Sequence, residues 1–263
     1  MSRLEPGSTS YRELLPDPRL RPFVDRFWIS VAPAGAPARH ILPDGCIDVL
    51  IDLAGGGRPL AVGTMTSASL FHPGAPVRIA AVRFRPGGAV PFLRVPAGEL
   101  TDRTVPCDDL GARWLAHPGW SEAGDPAAAV GALQGLLMDR LAARDRRDPV
   151  VAHAVAALFG RQPPTIEALS RDTGWSRQHL ARRFRQHVGV GPKQLARVAR
   201  LQRAVADLQR GAGHGLADLA LSLGYFDQAH MTRDFRALAA MTPLEAATGA
   251  GSIFPIRSLF ADP

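Results

Sequence analysis

The chain reads as an α+β protein: a β-rich N-terminal sandwich or barrel-like domain, followed by an all-α domain with two helix-turn-helix motifs. Three observations predict this. The first half holds short apolar or alternating runs between Pro/Gly punctuation. The second half holds runs with helical periodicity and recognisable start and stop residues. And the second half repeats itself. Leu169 matches Leu219 and Gly174 matches Gly224 at an offset of fifty; one residue is then inserted, and Leu180, Arg182, Phe184, Arg185 and Pro192 match Met231, Arg233, Phe235, Arg236 and Pro243 at fifty-one. Each copy has an apolar helix start, a Gly where a helix stops, and a second helix with apolar and arginine positions interleaved. That is the pattern of a helix-turn-helix, whose second helix enters the DNA major groove.

The elements follow in order. Strands are expected at Phe23–Val31, Cys46–Leu53, Pro59–Val62 and Val77–Arg85, separated by turns such as Pro43-Asp44-Gly45 and Gly55-Gly56-Gly57. Gly87–Leu93 is expected to be a short helix. A helix over Pro126–Arg144 has Asp125 as N-cap, Pro126 at its first position and Val130, Leu133, Leu136, Leu137 and Leu141 on one face. Arg144–Asp148 is a charged break, and Val150–Phe159 is a helix stopped by Gly160. Thr165 caps a helix that Gly174 ends, and Ser176 caps Arg177–His187, which Gly189 and Gly191-Pro192 terminate. Lys193–Gln209 is a long helix with Leu195, Val198, Leu201, Val205 and Leu208 as its apolar stripe. A break at Gly211–Gly215 leads to Leu216–Leu223, Asp227–Leu238 and Thr242-Pro243. The expected organisation is residues 1–145 as a β-rich sensor or dimerisation domain, 146–164 as a linker helix region and 165–250 as a DNA-binding domain. The first and last ten or so residues are expected to be disordered.

Composition bounds the function. With 263 residues, 46% of them hydrophobic, the chain can bury a substantial core. Its net charge of +7 is uneven: residues 150–250 hold 13 Lys+Arg against 7 Asp+Glu, so nearly all the excess sits on the repeat. A nucleic-acid footprint requires that placement. Thirty of the 31 basic residues are Arg, which fits a compositional bias and warns against reading each one as a contact. The two cysteines, Cys46 and Cys107, form no CxxC, so a four-cysteine zinc site is excluded and no metal or cofactor is expected. No apolar run approaches the ~18–20 residues of a membrane span, and the N-terminus lacks the core of a signal peptide. A cytoplasmic protein without membrane association is expected.

A recognition helix buries one stripe and presents another. In Arg177–His187 the buried stripe is Leu180 and Phe184. Arg177, Gln178 and Arg182 are then candidates to read bases, since Arg bonds guanine and Gln bonds adenine in a bidentate way. Ser176, Arg183 and Arg185 are candidate phosphate contacts. In Asp227–Leu238 the buried stripe is Met231 and Phe235, with Gln228 and Arg233 as base readers and Arg236 as a phosphate contact. His230 is expected to be packed or solvated rather than reading a base, and a salt bridge to a neighbouring helix competes for Arg182 and Arg233. A connecting helix of ~17 residues is ~25 Å long, which lets two recognition helices approach the ~34 Å repeat of successive major grooves.

Residues 165–246 resemble the DNA-binding domain of the AraC/XylS family of bacterial transcription regulators. The resemblance is carried by Ile166-Glu167-Ala168-Leu169, Gly174 and Ser176–Phe184 in the first copy. In the second it is carried by Leu219-Ala220, Gly224-Tyr225, Asp227–Arg236 and Thr242-Pro243. It implies seven helices, two helix-turn-helices joined by a long helix, and double-stranded promoter DNA as partner, with RNA polymerase as a further partner if the protein activates. Two departures stand out: Met231 where the family usually has Phe, and Ala240 where it usually has Gly. Leu42–Asp48 and Phe84–Ala89 are similar to motifs in the N-terminal domain of an AraC-like subgroup. That implies control by a small-molecule effector or by homodimerisation. Asp44, Cys46 and Asp48 are explained by an Asp-Gly turn entering a half-buried strand; a metal or reactive-thiol cluster is the weaker reading.

The expected function is a non-enzymatic, DNA-binding transcription regulator that reads two major grooves. The alternatives are an architectural DNA binder without effector, and a DNA-repair enzyme fused to this domain. The second suffers from having two unclustered cysteines and no Ser/His/Asp, phosphate-loop or dinucleotide motif.

Overall fold

Alternation along Val24–Ala32, Ile47–Asp52 and Val77–Phe84 sends one set of side chains to each face of a sheet. The computed structural model describes residues 9–117, 120, 125–141, 147–211 and 215–248. In it, strands β1 (Ser10–Leu14), β2 (Val24–Ala32), β4 (Ile47–Asp52), β5 (Pro59–Val62), β7 (Val77–Phe84) and β8 (Thr104–Pro106) form an antiparallel sheet in the order β1-β2-β7-β4-β5-β8. Strands β3 (Arg39–Ile41) and β6 (Ser69–Phe71) pair as a separate ribbon. A short helix, α1 (Val90–Leu93), follows β7. Helix α2 (Pro126–Leu141) covers one face of the sheet, where Leu133 and Leu137 pack with Phe27, Ile29, Val49 and Val82. Asp125 accepts from the Ala127 amide at its start, as its expected capping role requires. The ribbon lies over the other face, Ile41 packing with Trp28 and Leu50 and Phe71 with Ile79. Between sheet and ribbon is a cavity of about 680 Å³.

The four runs read from the sequence as strands are strands in the structure, within one residue or so of their expected bounds. Strands β1, β3, β6 and β8 were not expected. Three of them span only three residues, too few to establish a period, and the five-residue β1, SYREL, has no apolar alternation. The disorder expected of residues 1–8 and of the last residues, the final turn expected for the Pro126–Arg144 helix, the charged break at Arg144–Arg146 and the centre of the Gly211–Gly215 break lie outside the described residues.

The second half holds seven helices among the described residues. They are α3 (Pro149–Phe159), α4 (Ile166–Thr173), α5 (Arg177–Val188), α6 (Pro192–Gln209), α7 (Leu216–Ser222), α8 (Gln228–Ala239) and α9 (Pro243–Thr248). Thr165 and Ser176 cap α4 and α5 through their hydroxyls, and Gly174 ends α4 in the left-handed region at φ +68°. Two cores lie along α6. Leu195 and Ala199 join Val151, Leu158, Leu169, Leu180 and Phe184 in the first, while Leu201 and Val205 join Ala220, Tyr225, Met231 and Phe235 in the second. Met231 is fully buried, filling the place where Phe was expected. Helix α3 therefore packs as part of the first helical unit.

The β-rich half docks on both cores. Cys46 completes the first and Leu42 the second, one at each end of the Leu42–Cys46 turn. Gly45 of this turn has φ +81°, and a Cβ there would lie 2.5 Å from Leu195 Cδ1, so a larger residue would strain the backbone and displace Leu195. The buried amide of Gln202 donates to the Pro43 carbonyl at 2.6 Å.

Candidate nucleic-acid interface

Each recognition helix starts the same way. Ser176 accepts from the His179 amide at 3.2 Å, and at the equivalent place Asp227 accepts from the His230 amide at 2.6 Å. These caps fix the first turns, where a helix in a major groove meets base edges. Leu180, Phe184 and Val188 turn α5 inward, and Met231, Phe235 and Leu238 turn α8 inward. That leaves Arg177, Gln178, Arg182 and Arg185 exposed on α5, and Gln228, Arg233 and Arg236 exposed on α8.

The sequence-derived candidates fall into distinct settings. Arg182 meets His179 Nδ1 on its own helix at 3.2 Å, and neither it nor Arg233 forms an ion pair among the described residues. Arg177 lies 3.4 Å from Glu167, with both side chains mostly exposed. Ser176 already spends its oxygen as a cap. Arg183 is half-buried: it donates to Asp148 and Gln186 and lies over the Trp175 ring at 5.9 Å. It is thus braced against the N-cap of α3, unlike the exposed Arg185 and Arg236. His230 packs edge-on against Tyr225, and its Nδ1 accepts from the Phe226 amide at 3.3 Å.

Asp148 is the anchor of that brace. Its carboxylate accepts from the Val150 and Val151 amides at 3.0 Å as well as from Arg183. Burial alone would raise this carboxyl, but the Arg183 and amide hydrogen bonds outweigh it and hold it below the usual carboxylate range. His187, whose Nε2 lies 3.7 Å from the Asp148 oxygen that pairs with Arg183, is lowered by burial and by Arg183.

The far ends of both recognition helices are gripped by the β-rich half. The Thr64 hydroxyl donates to the Val188 carbonyl at 2.5 Å and Thr101 to Gly189 at 2.8 Å, both at the end of α5. The Ala68 amide donates to the Leu238 carbonyl at 2.7 Å, at the end of α8. Between them the Thr66 carbonyl accepts from Gln194 of α6 at 3.4 Å. The segment between β5 and β6 is therefore a strap joining the two recognition helices. On its other side Gly63, Met65 and Ser67 line the cavity. Gly63 starts the strap because a Cβ there would overlap the Leu100 carbonyl at 1.7 Å. Sequence reasoning missed the strap; its one trace was a Thr/Ser-rich stretch, Gly63–Ser69, between strand-like runs.

Residues 169–248 match a family described as a helix-turn-helix domain, and residues 12–106 match a domain of unknown function, DUF6597. An uncharacterised HTH-type transcriptional regulator of Bacillus subtilis, YbfI, is 36% identical over 67 residues, which cover 26% of this chain and 24% of that one. An uncharacterised HTH-type transcriptional regulator of Staphylococcus aureus is 30% identical over 79 residues, 30% of this chain and 10% of the relative. The chain thus spans about a tenth to a quarter of the length of these relatives. Among solved structures, ToxT from Vibrio cholerae aligns over 92% of this chain and 96% of its own, at 12% identity and a TM-score of 0.39.

Proposed function

We propose that the chain is a sequence-specific transcription regulator of the AraC type, a reading supported by the match of residues 169–248 to a helix-turn-helix domain. Its two recognition helices enter successive major grooves of promoter DNA, and its signal comes from a small molecule in the N-terminal cavity. The observation that carries this reading is the pairing of Arg182 with Arg233. They are equivalent in the two repeats and exposed on the outward faces of α5 and α8, while the opposite ends of both helices are held by one strap. The 18-residue α6, ~27 Å long, joins the two helix-turn-helix units, and its length is on the scale of one DNA turn.

The strap favours a regulator over an architectural binder. It is cavity wall on one side and helix anchor on the other, so a molecule filling the cavity presses on both recognition helices at once. A cavity of this volume is in the range of small-molecule sites. An alkyl-transfer enzyme would need a presented thiolate. Burial pushes the Cys107 thiol up to about 12 and raises Cys46 well above its ordinary value.

The test is selection of duplexes from a random pool by the full chain. Two sequence elements about 10 bp apart are expected, with affinity falling steeply as salt rises. A single element, no enrichment, or salt-independent binding would overturn the reading.

A further inference from the structure

The cavity has a charged pole beside a more apolar wall. The pole is Arg83 with Asp44 and Asp48. Arg83 stands directly opposite Asp48 in the β4–β7 ladder, and its Nε lies 3.1 Å from Asp48 Oδ1, its Nη2 3.3 Å from Asp48 Oδ2 and its Nη1 3.2 Å from Asp44 Oδ2. The guanidinium is thereby committed on all three nitrogens. Arginine is the side chain best shaped to hold a carboxylate or phosphate, and here two carboxylates of the protein already occupy that role.

Two carboxylates against one guanidinium leave the pole with an excess negative charge. The remaining charged residues of the lining, Asp102 and Arg103, cancel each other. Neutral donors soften the pole without balancing it: the Trp28 indole N–H donates to Asp48 at 2.9 Å and the Cys46 amide to Asp44 at 2.9 Å. Burial, and the neighbouring Asp44, raise the Asp48 carboxyl against the opposing pull of Arg83. An unbalanced charge in a low-dielectric setting is costly unless a proton is taken up or a counter-charge arrives, and a bound cation supplies the latter. Beside the pole lie Trp28, Leu50, Ile79 and Leu70, a surface for an apolar body, with an aromatic ring that attracts cations.

We propose that the N-terminal cavity binds an organic cation, an ammonium or similar group on an apolar body, with the charged group at Asp44 and Asp48 and the body against Trp28 and Leu50. This rests on the reading of the cavity as the effector site and names the chemical class of the effector. An anionic amphipath is the opposite assignment, and it meets a pole whose buried cation, Arg83, is already paired twice.

The experiment uses the full chain and two matched sets of probes: 4-phenylbutylamine against 4-phenylbutyrate and 4-phenylbutanol, and octylamine against octanoate. Melting temperature and calorimetric affinity are measured for each. The amines are expected to raise the melting temperature and to bind at least about tenfold more tightly than their acids. Asp48→Asn should bring that ratio toward one. If this variant does not fold, Met65→Trp, which fills the cavity from the strap, should abolish amine binding. Acids that bind as well as amines, no binding by either amine, or amine affinity unmoved by the folded variants would overturn the assignment. DNA binding is measured on the same preparations. A chain that reads DNA but prefers the acids loses only the cation assignment, and one that binds amines but no DNA loses only the regulator reading.

Discussion

In the first helix-turn-helix unit the side chain three residues after the buried leucine of the recognition helix is Arg183; at the same place in the second unit it is Asp234. Each reaches the helix that precedes its unit. Arg183 meets Asp148 at the start of α3, and Asp234 meets Arg197 in α6 at 2.8 Å. The two repeats brace their recognition helices by the same geometry with the charges exchanged. In both pairs the carboxylate is the buried partner and the arginine keeps part of its length in solvent, as its long stem allows. The pairs differ in how well the carboxylate is satisfied. Asp148 also accepts two backbone amides. Among the described residues, Asp234 Oδ1 accepts only from Arg197 and Asp234 Oδ2 has no hydrogen-bond partner. Equivalent positions in a repeat thus carry unequal risk, set by what remains when the partner is lost.

The largest expected effect breaks that comparison. Arg197→Met strands a buried carboxylate and should cost about 3–5 kcal/mol in urea unfolding, whereas Arg183→Met should cost about 1 kcal/mol because Asp148 keeps its amides. Equal losses would show that the amides do not protect Asp148. Arg197→Met with Asp234→Leu should recover most of the loss. Acid offers a second handle. The folded Asp148 carboxyl lies below its ordinary value, so its contribution is present above the usual carboxylate range and is lost as pH falls through the lowered value. Asp148→Asn should flatten that acid limb of the stability profile.

The next effect sharpens the comparison on the DNA side. Arg182→Ala and Arg233→Ala should each weaken binding to a selected duplex by about 1–3 kcal/mol. Their preferences should relax at positions about 10 bp apart. Both variants altering the same base pair would contradict two-groove binding. Arg183→Met should leave base preference intact, since its guanidinium is turned to Asp148.

These contrasts were unequally legible in the sequence. The helices of the second half were readable because Thr165, Ser176, Asp227 and the glycines mark their ends and the apolar residues keep a helical period. Leu180, Phe184, Met231 and Phe235 fell on the buried stripes for that reason. The longer strands were readable from alternation, and α2 from its cap and stripe. The charge exchange at Arg183 and Asp234 was not readable, because each partner lies 35 or more residues away and only the fold brings it near. The cavity pole was half-visible. Asp44, Cys46 and Asp48 stood out, and the turn and shared face explained them, but Arg83 is joined to them by strand register alone. The strap left almost no mark, since its grip is made by hydroxyls and backbone groups that any short loop possesses.

The smallest effect concerns the ends of the two recognition helices, where the repeats diverge again. Gly189 ends α5 at φ +98° and Ala240 ends α8 at φ +54°, both in the left-handed region. Gly189 is enclosed: a Cβ there would lie 3.0 Å from the Thr64 and Thr101 hydroxyl oxygens, which hold this end to the strap. Gly189→Ala should therefore add steric crowding to backbone strain and cost more than the ~1–2 kcal/mol of the left-handed conformation itself. Ala240 already carries that strain, and it is exposed, so removing its methyl forfeits little packing. Glycine would release the strain but widen the unfolded ensemble, an opposing effect of ~0.4–1 kcal/mol. The net expectation is that Ala240→Gly stabilises the chain by about 0.5 kcal/mol, read as a small rise in the urea midpoint at unchanged slope. A fall in the midpoint would mean that the alanine methyl makes a contact outweighing its strain, and the two helix ends would then differ in packing rather than in backbone conformation.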